Sequence, residues 1–303
     1  MAIGDVSTVT AAGCTDLSYV DTGMYDVAEY GSVYVVDAER PALIDTGIGT
    51  NWERIRDAVT EVGIAPDDLE VLAVTHVHLD HAGGAGFLVE AFPEAEVYVH
   101  EIGAPHLEDP GRLWAGTKQA VGNQIEHYVE PRPVPEERIT AVEDGDRIDL
   151  GDHALDIHHA PGHAPHQVVF HDPANAVVFT ADAAGIYTPS TDAVHVTSPP
   201  PNFDLDECLS DVETIRELDP EVLCYAHFGP VPVGDRLAEY ERVLSEWVDA
   251  VESARADLGD DEAVIERFVD RADAEREIWG AEKADAEVAM NVRGVLTALD
   301  RDA

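Results

Sequence analysis

Thr75-His76-Val77-His78-Leu79-Asp80-His81-Ala82-Gly83-Gly84 places four ligand-bearing side chains within six residues, at the end of a short apolar run that starts at Val71. In an extended or turning segment His76 and His78 point the same way, because side chains alternate with period two. Asp80 and His81 fall in the turn before the helix that Gly83 precedes, and such a turn sends ligands to two neighbouring metals. Imidazole combined with carboxylate suits zinc, iron or manganese rather than calcium or magnesium. The competing reading is a chance cluster of turn and surface histidines, since the chain has 14 of them. A lone pair spaced by two would fit that reading; the full run is far more specific.

Outward from this run the chain reads as short strands with helices between them. Residues 30–37 are β-branched and aromatic, and Ala42–Ile44 is an apolar strand that ends in the turn signal Asp45-Thr46-Gly47. Trp52–Val62 has helical spacing, 71–75 reads as a buried strand, 83–92 as a helix stopped before Pro93, and 97–100 as a strand. Residues 101–135 look helical and interrupt the strand pattern, which predicts an insertion over a site; His106, Trp114, His127 and Tyr128 lie in it. Strands return at 147–150, 153–159, 167–171 and 176–180, with His158 and His159 inside one of them, followed by a helix over 205–218 and the strand Val222–Tyr225. Three further candidates sit just past strand ends: His163 after Ala160-Pro161-Gly162, Asp182 after Phe179-Thr180-Ala181, and His227 after Tyr225-Ala226. Strand ends on one sheet edge converge, and the loops there usually carry function.

From 235 to 303 the pattern is helical and highly charged, with an apolar stripe of Met290, Val292, Val295 and Leu296 that fits docking onto the core or onto a second subunit as a homodimer. Strands with recurrent helices predict an α/β (α+β) chain of two packed sheets with helices outside and a helical C-terminal appendage. The expected division is 1–234 as the catalytic domain and 235–303 as the C-terminal region.

The 303 residues carry 62 acidic and 18 basic side chains, a formal charge of -44, and Lys118 and Lys283 are the only lysines. Such a surface repels nucleic-acid phosphates and anionic membranes, which leaves a small-molecule substrate. The composition resembles that of proteins from salt-accumulating halophiles. No long uncharged apolar run and no secretory start is evident, and Cys14, Cys208 and Cys224 are too scattered for a disulfide framework. Free thiols in a cytoplasmic location are the expectation.

The run His76-Val77-His78-Leu79-Asp80-His81, followed in order by His163, Asp182 and His227, resembles the metallo-β-lactamase superfamily, and Leu43-Ile44-Asp45-Thr46-Gly47 resembles its first motif. The resemblance spans about residues 30 to 230. It implies a four-layer αββα sandwich with the site on one edge. It further implies a first metal on His76, His78 and His163, a second on Asp80, His81 and His227, and Asp182 between them. Within the superfamily the pattern looks most like the glyoxalase II-like branch, since Asp182 stands where lactamases of the main zinc class carry cysteine. Glyoxalase II follows that aspartate with a cysteine-glycine-arginine stretch, whereas this chain has Ala183-Ala184-Gly185-Ile186-Tyr187. No counterpart of the cationic pair that holds glutathione is evident in the lysine-poor C-terminal region.

The resemblance implies a metal-dependent hydrolase in which two divalent metals, zinc first with iron or manganese as alternatives, share a hydroxide that attacks a thioester, ester or lactone carbonyl. Asp80 would orient that hydroxide. One alternative is a mononuclear-iron persulfide dioxygenase on the same scaffold; another is a non-catalytic metal-bound interaction module. Secondary candidates are Asp45, as a carboxylate orienting a ligand histidine, Tyr187 as a hydrogen bond to the substrate carbonyl, and His166 as a pocket residue, for which a surface position is the preferred expectation.

Overall fold

The computed structural model describes residues 1–14 and 16–301; Thr15 lies outside the described residues, as do Asp302 and Ala303 at the end of the stretch expected to be helical. The first sheet holds β1 (Val6–Thr8), β2 (Leu17–Asp21), β3 (Ser32–Val36), β4 (Ala42–Ile44), β5 (Val71–Ala73), β6 (Glu96–His100) and β7 (Ile139–Val142), in that order. Neighbours are antiparallel up to β4 and parallel from β4 onward. Parallel neighbours need crossovers, and these are α1 (Trp52–Val62), the pair α2 (Leu79–Ala82) and α3 (Ala85–Ala91), and the pair α4 (Ala104–Glu108) and α5 (Gly111–Val121).

The second sheet contains β8 (Arg147–Asp149), β9 (Ala154–His159), β10 (Val168–Asp172) and β11 (Val177–Ala181). A separate hairpin, β12 (Ile186–Thr188) with β13 (Ala193–His195), and the helix α6 (Leu205–Glu217) then lead to β14 (Val222–Tyr225) and β15 (Gly229–Pro232). The order across this sheet is β15-β14-β11-β10-β9-β8. Four helices close the chain: α7 (Arg236–Leu258), α8 (Asp261–Val269), α9 (Asp273–Trp279) and α10 (Ala281–Arg301).

Strand alternation sorts the apolar side chains into layers. Ala42 and Ile44, Val71 and Ala73, Val168 and Phe170, Val177 and Phe179, and Val222 and Cys224 share one buried cluster between the sheets. The intervening residues face the other way. Leu43 and Leu72 pack with Ile55 and Val59 of α1 and Leu88 of α3. Val169, Val178 and Leu223 pack with Val212 and Ile215 of α6 and Leu244 of α7. Helix, sheet, sheet and helix are thus four layers, the αββα architecture expected from the sequence. The C-terminal helices join the same outer cluster: Val292, Val295 and Leu296 of α10 are buried with Val178 and Leu223, so the stripe docks onto the core.

Two differences from expectation matter for the site. The helix predicted over 83–92 is α3, and the stretch before it, expected as a turn, carries a short helix of its own, α2, with Gly83 and Gly84 between the two. A Cβ on Gly84 would stand 2.1 Å from the carbonyl oxygen of Thr46, so the turn after β4 and the histidine-rich turn touch through bare backbone. The N-terminal strands β1 and β2, short and partly polar, had no legible pattern. All three cysteines are free and buried, and no helix among the described residues is long and apolar enough to cross a membrane.

Candidate metal centre

The seven candidate ligands leave the sheets at strand C-termini on one edge. β4 and β5 are parallel, with Ile44 beside Ala73, so Asp45 and the run from His76 emerge together. β11 and β14 are parallel as well, with Ala181 beside Tyr225, so Asp182 and His227 emerge together. A register shift between Phe179 and Ala181, with Ala181 at φ 48°, turns the chain just before Asp182; a bulge there re-aims the side chain that follows. His163 follows β9.

The ring nitrogens converge in two groups. His78 Nδ1 lies 3.1 Å from His76 Nε2 and 3.0 Å from His163 Nε2. His81 Nε2 lies 3.2 Å from His227 Nε2, and Asp80 Oδ2 stands 3.9 and 3.8 Å from those two nitrogens. Asp182 touches both groups: Oδ2 is 3.3 Å from His76 and His163 and 3.1 Å from His81, and Oδ1 is 3.5 Å from His227. Ligands about 2.0–2.1 Å from a tetrahedral cation stand roughly 3.3 Å from one another. Imidazole nitrogens aimed at a common point at these spacings therefore fit divalent metal ions. Asp182 Oδ1 is buried without a hydrogen-bond partner, as expected of an oxygen that completes such a site.

The electrostatics agree with that use. Burial, reinforced by neighbouring imidazoles, pushes His76 well below the ordinary histidine range and His163 down to about 3; burial lowers His78 too. These shifts favour the neutral rings, whose lone pairs metal binding requires. Burial alone would raise Asp80 and Asp182, but the histidines around them hold both carboxyls below the usual range. His81 goes the other way: burial opposes its charge, and Asp182 and Asp80 outweigh that and raise it well above normal.

A family model for the metallo-beta-lactamase superfamily matches residues 27–227. The chain belongs to this superfamily. It is 26% identical over 230 residues to the metallo-beta-lactamase fold-containing protein ST1585 of Sulfurisphaera tokodaii, covering 72% of this chain and 80% of that one. The crystal structure of ST1585 superposes with a TM-score of 0.67 at 21% identity, over 96% of this chain and 100% of the other. A segment covering 54% of this chain is 29% identical to the acyl-coenzyme A thioesterase MBLAC2 of Gallus gallus, over 178 residues and 61% of that relative.

Around this superfamily site the chain supplies its own supports. Asp45 Oδ2 accepts from His81 Nδ1 at 3.0 Å while Oδ1 accepts from the backbone and hydroxyl of Thr75 at 2.8 Å. The carbonyl of Tyr30 accepts from His227 Nδ1 at 3.1 Å. Thr197 Oγ1 stands 3.5 Å from His163 Nδ1. These contacts leave the opposite nitrogen of each ring facing the candidate metal site.

Two secondary expectations need correcting. Tyr187 does not reach the site. In the three-residue strand β12, Ile186 faces the cavity and alternation turns Tyr187 away, so its hydroxyl donates to Asp192 at 2.8 Å and its ring lies beside Arg236. Its backbone carbonyl accepts from Phe228 N, so it braces the His227 loop through main chain. His166 is not on the surface. It is buried with its ring 5.5 Å from that of His78, and its Nδ1 accepts from Val77 N at 3.4 Å; burial pushes it down to about 2.

The candidate ligand cluster opens into a cavity. The segment 101–135 forms part of its wall with Thr117, Ala120, Val121 and Tyr128. His106 instead stands 6.4 Å ring to ring from His166, His127 packs on Tyr25, and Trp114 lies under Lys118. The wall also includes Lys283, Glu287 and Met290 of α10, so this lysine-poor C-terminal region does deliver a cation to the site. The only sequence signal for it was rarity, since Lys283 is one of two lysines in the chain.

Proposed function

We propose that this chain is a metal-dependent hydrolase of thioesters or related esters, of the glyoxalase II-like kind. In this reading His76, His78 and His163 hold one divalent ion, Asp80, His81 and His227 a second, and Asp182 spans both, with zinc the first candidate. The observation that carries the reading is the contact of one carboxylate, Asp182, with ligand candidates from both groups. The similarity to an acyl-coenzyme A thioesterase supports thioesters as the substrate class.

Two bound cations would supply carbonyl polarisation and a water acidified toward neutrality. The chain's own residues supply the rest. Asp80 is the least buried of the carboxylates at the site, with its side chain 24% exposed; it is assigned to accept a hydrogen bond from the attacking water and fix its direction. The buried histidines exclude bulk solvent from one side of the reacting carbonyl. No side-chain nucleophile is required, so no acyl-enzyme forms.

The test is elemental analysis of the purified chain, followed by assay against thioesters, lactones and phosphodiesters before and after chelation. The expected result is close to two metals per chain and thioester hydrolysis that chelation abolishes and metal restores. A metal-free chain with full activity, or a metal-loaded one inert toward every thioester and ester, overturns the reading.

A further inference from the structure

On the wall of the cavity that His78 and Asp80 also line, α10 places Lys283 and Glu287 one helical turn apart, and both are buried. Lys283 is 6% exposed in a chain with a formal charge of -44. Its Nζ donates to Glu287 Oε2 at 2.6 Å and lies 4.0 and 4.4 Å from the ring centroids of Tyr25 and Tyr30. A buried ion pair costs desolvation that its mutual attraction seldom exceeds, and an apolar pair would pack here at less cost. Its position on a cavity wall points to a ligand.

The donor and acceptor balance says which kind. Glu287 is already occupied: Oε2 accepts from Lys283 and from the Tyr30 hydroxyl at 3.2 Å, and Oε1 accepts from Asn291 Nδ2 at 3.3 Å. Lys283 has three N–H donors and Glu287 takes one, leaving two that meet only aromatic faces. The hydroxyls of Tyr25 and Tyr128 bond each other, which uses one of their two hydrogens and leaves the other to donate. Burial keeps both phenols protonated, well above their ordinary pKa. All these groups line the same cavity as His78, Asp80, His163 and His227. The wall is therefore donor-rich, its cation keeps two N–H groups without an oxygen acceptor, and it is neutral overall because of Glu287, which suits a monoanion better than a phosphate dianion.

We propose that Lys283, with Tyr25 and Tyr128, forms a subsite that recognises a carboxylate on the acyl substrate, on the far side of the cavity from the reacting carbonyl. For turnover this rests on the hydrolase reading above; for binding it does not. It makes Lys283 a specificity-determining residue and selects acyl compounds with a terminal carboxylate over their neutral analogues.

The experiment compares a succinyl thioester with the butyryl thioester of the same thiol, which differ in a terminal carboxylate against a methyl group. It also measures succinate binding to the purified chain by calorimetry. The wild type is expected to favour the succinyl substrate in kcat/KM by roughly 10- to 100-fold, the range of a charge-assisted hydrogen bond. Lys283→Met combined with Glu287→Gln removes both charges together, so no unpaired buried ion is left to unfold the chain, and its circular dichroism spectrum checks that. In this double variant the preference falls to within about twofold and succinate binding weakens by a similar 10- to 100-fold. Lys283→Arg keeps part of the preference. A wild type without preference, or a folded double variant that retains preference and succinate affinity, overturns the subsite. If neither thioester is turned over, the hydrolase reading fails, and the calorimetry still decides the subsite.

Discussion

Asp45 Oδ2 lies 3.0 Å from His81 Nδ1, and the same carboxylate closes on Thr75 through Oδ1. A carboxylate only accepts, so His81 must donate from Nδ1, and its Nε2 is left to face Asp182 and His227. One side chain thus sets the orientation of His81 and ties the turn after β4 to the histidine-rich turn. Asn at 45 has a single acceptor oxygen and cannot serve both Thr75 and His81. Asp45→Asn is expected to weaken metal binding by about 10- to 100-fold, the usual cost of losing such a partner, with a parallel loss of activity that excess metal partly restores. Competition against a chromophoric chelator reads this directly; unchanged affinity contradicts it.

At the β8–β9 turn, His153 joins segments distant in the chain. Its Nε2 meets Asp16 Oδ2 at 2.8 Å and its Nδ1 meets Asp172 Oδ2 at 3.0 Å. Burial lowers the His153 pKa, but the hydrogen bonds and charges of Asp16 and Asp172 outweigh it and the net shift is upward. A histidine raised in the folded state contributes stability that is fully present below its unfolded pKa, near 6.5, and is lost as pH rises through the folded value. His153→Gln is therefore expected to destabilise the chain by about 1–2 kcal/mol at pH 6 and by less at pH 9. Urea unfolding at both values measures it; an equal or larger loss at pH 9 refutes the assignment.

How much of this was legible depends on whether the information was local. The gathering of His76 to Gly84 into one turn could be read because candidate ligands and glycines are contiguous and follow a buried strand. His163, Asp182 and His227 could be read because each follows an apolar run on what proves to be one sheet edge. Tyr187 misled because a strand of three residues gives too little alternation to fix which face a side chain takes. His166 sits in a loop without periodicity, so nothing in the sequence indicated its burial. Lys283 and Glu287 form an i, i+4 pair in an acidic helix, which from sequence alone is indistinguishable from a solvated surface pair. Only the docking of α10 against the cavity turns that pair inward, and that docking depends on contacts between residues about 100 positions apart.

One such contact is at Gly294 of α10. A Cβ there would stand 1.7 Å from the carbonyl oxygen of Ser198, whose backbone N–H donates to Asn291 Oδ1 at 2.6 Å. Ser198 follows Thr197, the partner of His163 Nδ1, so the close approach sets where one candidate ligand histidine is held. Alanine favours a helix interior over glycine by about 1 kcal/mol, whereas overpacking costs about 1–3 kcal/mol, and more where the obstacle is backbone. Gly294→Ala is expected to be destabilising on balance and to lower metal content, both measured on the same preparation. A rise in melting temperature would show that the loop gives way freely.

The formal charge of -44 predicts the response of the whole chain to salt. Among the described residues the buried acidic side chains are Asp21, Asp45, Asp172, Asp182, Asp211 and Glu287; most of the 62 acidic groups therefore face solvent at least in part. With 18 basic residues to offset them, folding concentrates like charge that the unfolded chain spreads out. The Debye length falls from about 10 Å at 0.1 M to about 3 Å at 1 M, so most of the screening is complete by 1 M. The melting temperature is expected to climb steeply with potassium chloride up to about 1 M and more slowly beyond. Relief of about 2 kcal/mol corresponds to roughly 3 °C for a chain of 303 residues. Sodium chloride should act alike over the first molar if screening is the cause. A rise that continues undiminished well past 1 M, or that one cation produces and the other does not, would point to bound ions instead.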